Sequence, residues 1–98
     1  MKKLVRDLIP TIIENAGGNP QYFIASPDEY KDYLKEKLIE EVHEFIESEE
    51  IDELADILEV FEAIYKSYGI SHEKLLEIKN RKQKERGGFT NRYILQIK

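Results

Sequence analysis

The chain's 98 residues, 41% apolar and 36% charged, suffice for one domain with a modest core. A domain this small buries a low fraction of its surface on folding, so self-association is expected. The formal net charge of −5 opposes a nucleic-acid duplex as the main partner, and the absence of cysteine removes disulfides, thiolate metal sites and cysteine nucleophiles.

No apolar run approaches the roughly 18 residues that a membrane span needs. The start, Met1 to Asp7, is basic but lacks an apolar signal region, so the cytosol is the expected compartment. Leu4, Val5, Leu8, Ile12 and Ile13 recur at near-helical spacing before the stop Gly17-Gly18-Asn19-Pro20. Pro10 is tolerated if this short helix begins near Asp7, where first-turn N–H groups lack acceptors anyway. Tyr22 to Ala25 reads as a short strand or an extended connection.

Ser26-Pro27-Asp28-Glu29 combines a capping hydroxyl, a first-turn proline and a Glu three residues after the cap. The helix it starts should run to about Glu47 with Leu34, Leu38, Val42, Phe45 and Ile46 on one face. A break near Ser48-Glu49-Glu50 precedes a third helix carrying Ile51, Leu54, Ile57, Leu58, Phe61, Ile64, Tyr65 and Tyr68, with Gly69 as its stop. Ser71 caps a fourth helix reaching about Lys84. Arg92 to Ile97 has strand character and could pair with Tyr22 to Ala25 as a two-stranded ribbon. The expected fold class is all-α: one domain over 1–98, a bundle of about four helices with that short ribbon, completed by oligomerisation.

Acids crowd the stretch from Glu36 to Glu62, and two segments break the amphipathic pattern. By helical phase Glu41 lies at the margin of the stripe formed by Leu34, Leu38, Val42 and Phe45, with Glu44 one turn on. Glu53 projects among Ile57, Val60 and Ile64, and Asp56 lies at the edge of the same arc. A carboxylate removed from water must protonate, meet a cation or bind a metal. One such acid is ordinarily a snorkelling margin residue. Two i, i+3 pairs on adjacent antiparallel helices would converge on one volume, where mutual repulsion demands cations. All-oxygen ligands favour a hard ion, Mg²⁺, with Mn²⁺ as a substitute. The remaining acids, among them Glu47, Glu59 and Glu62, fit a solvated face. His43 projects near the polar side and His72 into a first turn. Tyr30 and Tyr33 fall near Glu44 by phase, placed either to line a nucleotide pocket or to make core or dimer contacts.

Glu40-Glu41-Val42-His43-Glu44 followed by Glu53-Leu54-Ala55-Asp56 resembles the Glu-Glu-x-x-Glu and Glu-x-x-Asp signature of the all-alpha NTP pyrophosphohydrolase superfamily. That group includes MazG, dimeric dUTPases and phosphoribosyl-ATP pyrophosphohydrolase. The flanks Lys3-Leu4-Val5-Arg6-Asp7-Leu8-Ile9-Pro10 and Arg86-Gly87-Gly88-Phe89 resemble small stand-alone MazG-related proteins thought to clear aberrant nucleotides. The eight residues between Glu44 and Glu53 are fewer than in many MazG proteins, leaving no room for an elaborate base-recognition loop.

The resemblance implies a MazG-like helical fold with Glu41, Glu44, Glu53 and Asp56 as metal ligands. Glu40 would be a catalytic helper that orients or deprotonates the attacking water. It further implies Mg²⁺-dependent hydrolysis of a nucleoside triphosphate between the α- and β-phosphates, giving a monophosphate and pyrophosphate, in a homodimer or higher homo-oligomer. Lys79, Lys82 and Arg86 would supply cations to the phosphates, although basic residues near a helix C-terminus also serve its dipole and solubility. Arg6 and Asp7 would order the site as a buried pair. Phosphoribosyl-ATP pyrophosphohydrolase activity and a non-catalytic acidic helical binding module are the competing readings.

Overall fold

The computed structural model describes residues 1–97, and four helices account for its regular structure: α1 (Ile9–Asn15), α2 (Pro27–Ser48), α3 (Ile51–Ser67) and α4 (His72–Arg86). The all-α expectation is met. Three of the helices begin where local chemistry sets their start. Pro10 sits in the first turn of α1, where its missing donor costs nothing. At α2 the Ser26 hydroxyl accepts from the Glu29 N–H at 3.2 Å, and the Glu29 carboxylate accepts from the Ser26 N–H at 3.0 Å, a complete capping box. Ser71 caps α4 by accepting from the Lys74 N–H at 3.1 Å.

The α2–α3 hairpin is the structural centre of the chain. Only Glu49 and Glu50 separate the two helices, so they fold back antiparallel. Half-buried Leu38, Val42 and Phe45 on α2 and Ile57, Val60 and Ile64 on α3 keep the anticipated stripes in part. Ile46 on α2, Ile51, Leu54, Leu58 and Phe61 on α3 and Tyr68 at its end, expected in the same patterns, are exposed. Leu34 is 1% exposed, and Tyr65 is buried with its ring edge-to-face on Phe61 and its hydroxyl 3.1 Å from His72 Nδ1. That last contact ties α4 to α3.

The two-stranded ribbon does not form. Residues 22–25 and 92–97 are irregular, and no strand occurs among the described residues. Tyr22, Phe23, Ile24, Tyr93, Ile94, Leu95 and Ile97 all lie exposed. Neither segment packs a face against a helix, and a hairpin pair alone does not repay its ordering entropy.

The single chain is loosely closed. Its radius of gyration is 17.6 Å, against about 13 Å for a compact domain of this length. Leu58, Phe61 and Leu76 are large apolar residues left exposed between α3 and α4.

The turn that sets the hairpin carries strain. The Glu49 N–H still closes the last helical bond to the Phe45 carbonyl, and its left-handed backbone, φ 57°, then turns the chain out of α2; glycine would adopt that conformation without the Cβ penalty. Glu49→Gly should therefore raise the stability of the chain by about 1 kcal/mol, read as a rise in the chemical or thermal unfolding midpoint. A fall would show that the Glu49 side chain contributes more than its backbone costs.

Candidate metal centre

Antiparallel packing brings both acidic segments to the end of the hairpin nearest the turn. Glu40, Glu41 and Glu44 lie on the last turns of α2; Glu53 and Asp56 lie on the first turns of α3. One carboxylate oxygen from each of Glu40, Glu41 and Glu44 lies within 4.8 Å of the others, and the same holds for Glu41, Glu53 and Asp56. Glu41 belongs to both groups and stands between them. The resemblance-derived ligand set is thus brought together, with Glu40 alongside it.

Burial distinguishes these acids from a solvated face. Glu41 is 7% exposed, and its Oε2 is buried without a hydrogen-bond partner. Glu53 and Asp56 are half-buried, whereas Glu44 is exposed. Desolvation, then the nearby Glu44 carboxylate, raises the Glu41 pKa above the ordinary glutamate value, with Lys37 partly opposing the rise. Desolvation likewise leads the upward shift of Glu53, followed by repulsion from the Glu44 and Asp56 carboxylates. Repulsion therefore links the two helices across their interface. Glu40 moves the other way, lowered by hydrogen bonds from Lys3 and Lys37.

Three cations border the cluster. Lys37 Nζ lies 3.1 Å from Glu40 Oε2 and 3.4 Å from Glu41 Oε1. Lys3 Nζ lies 2.9 Å from Glu40 Oε1, and Arg6 Nη2 lies 2.6 Å from Asp56 Oδ1. The expected buried Arg6–Asp7 pair is therefore not what forms: both residues are exposed, and Arg6 reaches across to α3. Adjacent residues in an irregular segment diverge, so the partner comes from the fold instead. Sequence reasoning passed over Lys37, although its i+3 and i+4 spacing to Glu40 and Glu41 was the available signal.

The remaining candidates lie elsewhere. Lys79, Lys82 and Arg86 line a groove of about 830 Å³ with Leu58, Phe61, Glu62 and Tyr65 of α3, and neither Glu53 nor Asp56 lines it. Tyr30, near the start of α2, lines a smaller hollow with Glu59, Glu62 and Lys66. At 1.5 Å per residue it stands roughly 16 Å along the helix from Glu41. Neither cavity includes a residue of the acid cluster. His43 and His72 are exposed.

An all-carboxylate set with an orphaned buried oxygen suits a hard divalent cation: the ion would supply the counter-charge and the missing ligand together. Without it the ionised Glu41 and Glu53 carboxylates oppose folding. Because Glu41 and Glu53 have raised values, the folded chain binds more protons than the unfolded chain just above the ordinary glutamate range, so metal-free stability declines as pH rises through the raised values. Glu40 contributes oppositely: its stabilisation is present above the ordinary value and lost as pH falls through the lowered one.

Glu41→Gln should raise the melting temperature of the metal-free chain at pH 7 and flatten its decline with pH. For the unsubstituted chain, a divalent cation at about 100 times its Kd should add about 2.7 kcal/mol, or roughly 10–20 °C. Glu41→Gln should lose most of that gain. Differential scanning calorimetry with and without Mg²⁺ measures both effects, and an equal cation-induced rise in the variant would contradict the assignment of Glu41. Comparisons with models of protein families, with curated proteins and with solved structures found no significant match, so the functional reading rests on the site.

Proposed function

We propose that this chain is a Mg²⁺-dependent nucleoside triphosphate pyrophosphohydrolase that clears aberrant nucleotides in the cytosol, with Mn²⁺ as an alternative ion. The observation that carries the reading is the unpartnered, buried Glu41 Oε2 between two groups of converging carboxylates. The resemblance of those acids and of both chain flanks to the MazG-like superfamily supplies the substrate class. Glu41, Glu44, Glu53 and Asp56 would hold the cation. When bound, it offsets phosphate charge and makes water more acidic.

In the reaction a water oxygen attacks phosphorus as the α–β anhydride bond breaks, pyrophosphate leaves with the bond's electron pair, and the water's proton passes to solvent or a carboxylate. Glu40 orients that water. In the metal-free chain Lys3 and Lys37 hold both of its oxygens and depress its pKa; Lys37, fixed on α2, keeps hold of Oε2, which suits Glu40 to accept a fixed hydrogen bond. Positioning and electrostatics do most of the work in such a transfer.

The working form is a homodimer or larger homo-oligomer. Its support is physical: the chain is expanded for its length and leaves Leu58, Phe61 and Leu76 uncovered. Lys79, Lys82, Arg86 and Tyr30 line cavities that exclude the acid cluster of their own chain, so they would contact phosphates or base only at a neighbouring subunit's site.

Purified chain should release pyrophosphate from at least one member of a panel of standard and modified triphosphates, with phosphoribosyl-ATP included, and only with Mg²⁺ or Mn²⁺ present. Glu53→Gln and Asp56→Asn should each lower turnover on the order of 10²-fold or more. Saturable nucleotide binding without turnover would favour the non-catalytic module. No turnover on any triphosphate by folded, metal-loaded chain would overturn the enzyme.

A further inference from the structure

We propose that Lys3 and Arg6 form a displaceable cationic strap, which neutralises the acid cluster when no metal is bound and binds the substrate's phosphates once a divalent cation has taken its place. The inference rests on the metal-site reading above and extends it to phosphate recognition.

The three bordering cations differ in how they are held. Lys37 projects from the interior of α2 and its side chain is 16% exposed, so it is a fixed counterion. Lys3 and Arg6 come from an irregular segment ahead of α1, and their side chains are 53% and 57% exposed. Each nevertheless spans a long sequence separation, 37 residues to Glu40 and 50 to Asp56, to end on a cluster carboxylate. The segment is led across the site without being locked there. Exposed pairs of this kind contribute only about 0–1 kcal/mol each, so an ion that engages several carboxylates together can displace them.

Charge decides what the displaced groups then meet. Glu40, Glu41, Glu44, Glu53 and Asp56 set five negative charges against three cations, Lys3, Arg6 and Lys37, an excess of two that one divalent ion would cancel. If that ion takes Asp56 as a ligand, the Arg6 guanidinium loses its partner at the rim where a bound polyphosphate brings several new negative charges. Arginine's planar fork suits phosphate oxygens, and the lysine ammonium provides a second point charge. Metal and Arg6 therefore compete for Asp56 in the absence of phosphate and cooperate in its presence.

That opposition of signs makes the test. Mn²⁺ alone, and inorganic tripolyphosphate with saturating Mg²⁺, are titrated calorimetrically into the unsubstituted chain and the Lys3→Met/Arg6→Gln double variant, with helical content checked by circular dichroism. The double variant should bind Mn²⁺ about fivefold more tightly or better, because two competing charges are gone, and should bind tripolyphosphate about tenfold more weakly. Lys3→Arg/Arg6→Lys, which keeps both charges, should restore tripolyphosphate affinity. In the unsubstituted chain the Arg6 side-chain NMR signal should shift on adding Mg²⁺ and again on adding tripolyphosphate.

Unchanged or weaker Mn²⁺ binding in the double variant, or an Arg6 signal indifferent to both additions, overturns the strap while leaving the metal site intact. Tighter Mn²⁺ binding with unaltered tripolyphosphate affinity overturns its phosphate role. Failure of the unsubstituted chain to bind Mn²⁺ at all overturns the metal site and the strap together.

Discussion

The constraint on which this molecule turns is the cost of holding the Glu41 carboxylate away from water. Its Oε1 finds Lys37, its Oε2 finds nothing, and Glu44 and Asp56 add repulsion. A hairpin selected for stability alone would place a leucine at such a margin. Retaining an acid there, opposite two more on the facing helix, means that the fold keeps destabilising charge in the position where a cation would use it. Stability and function therefore pull in opposite directions at one residue.

The geometry that creates this conflict is local and inexpensive in chain length. A two-residue link, made possible by the left-handed backbone of Glu49, aligns the last turns of α2 with the first turns of α3. Because side chains three and four apart share a helix face, one alignment delivers all the acids together. The same economy leaves little else in the chain to enclose a substrate. The basic residues of α4 and the aromatic residue at the start of α2 are directed to other surfaces. Under the proposed function, a pocket that recognises a base would draw on a second copy.

Much of this was legible from the residues, and the failures have physical causes. The capping box at Ser26, the stop at Gly69 and the hydroxyl cap at Ser71 fall where local rules put them, because each depends only on neighbouring residues. The acid cluster was legible because helical phase predicts which side chains share a face. The ribbon between residues 22–25 and 92–97 was not, since strand character says nothing about whether a partner surface exists to cover it. Arg6 was paired with its neighbour Asp7 when its partner lies on α3, and Tyr30 was placed by phase beside Glu44 although many residues separate them along the helix. Phase gives the face of a helix but not the level along it, and long-range pairing of an irregular segment leaves no periodic trace.

The central claim, that the Glu41 oxygen is orphaned because it belongs to a cation, is tested most directly by anomalous diffraction from crystals grown with Mn²⁺. The account predicts a peak between α2 and α3, at coordination distance from Glu41 Oε2 and shared with Glu53 and Asp56, and Arg6 moved off Asp56. Crystals saturated with Mn²⁺ that show no density there, with Arg6 still on Asp56, would contradict it.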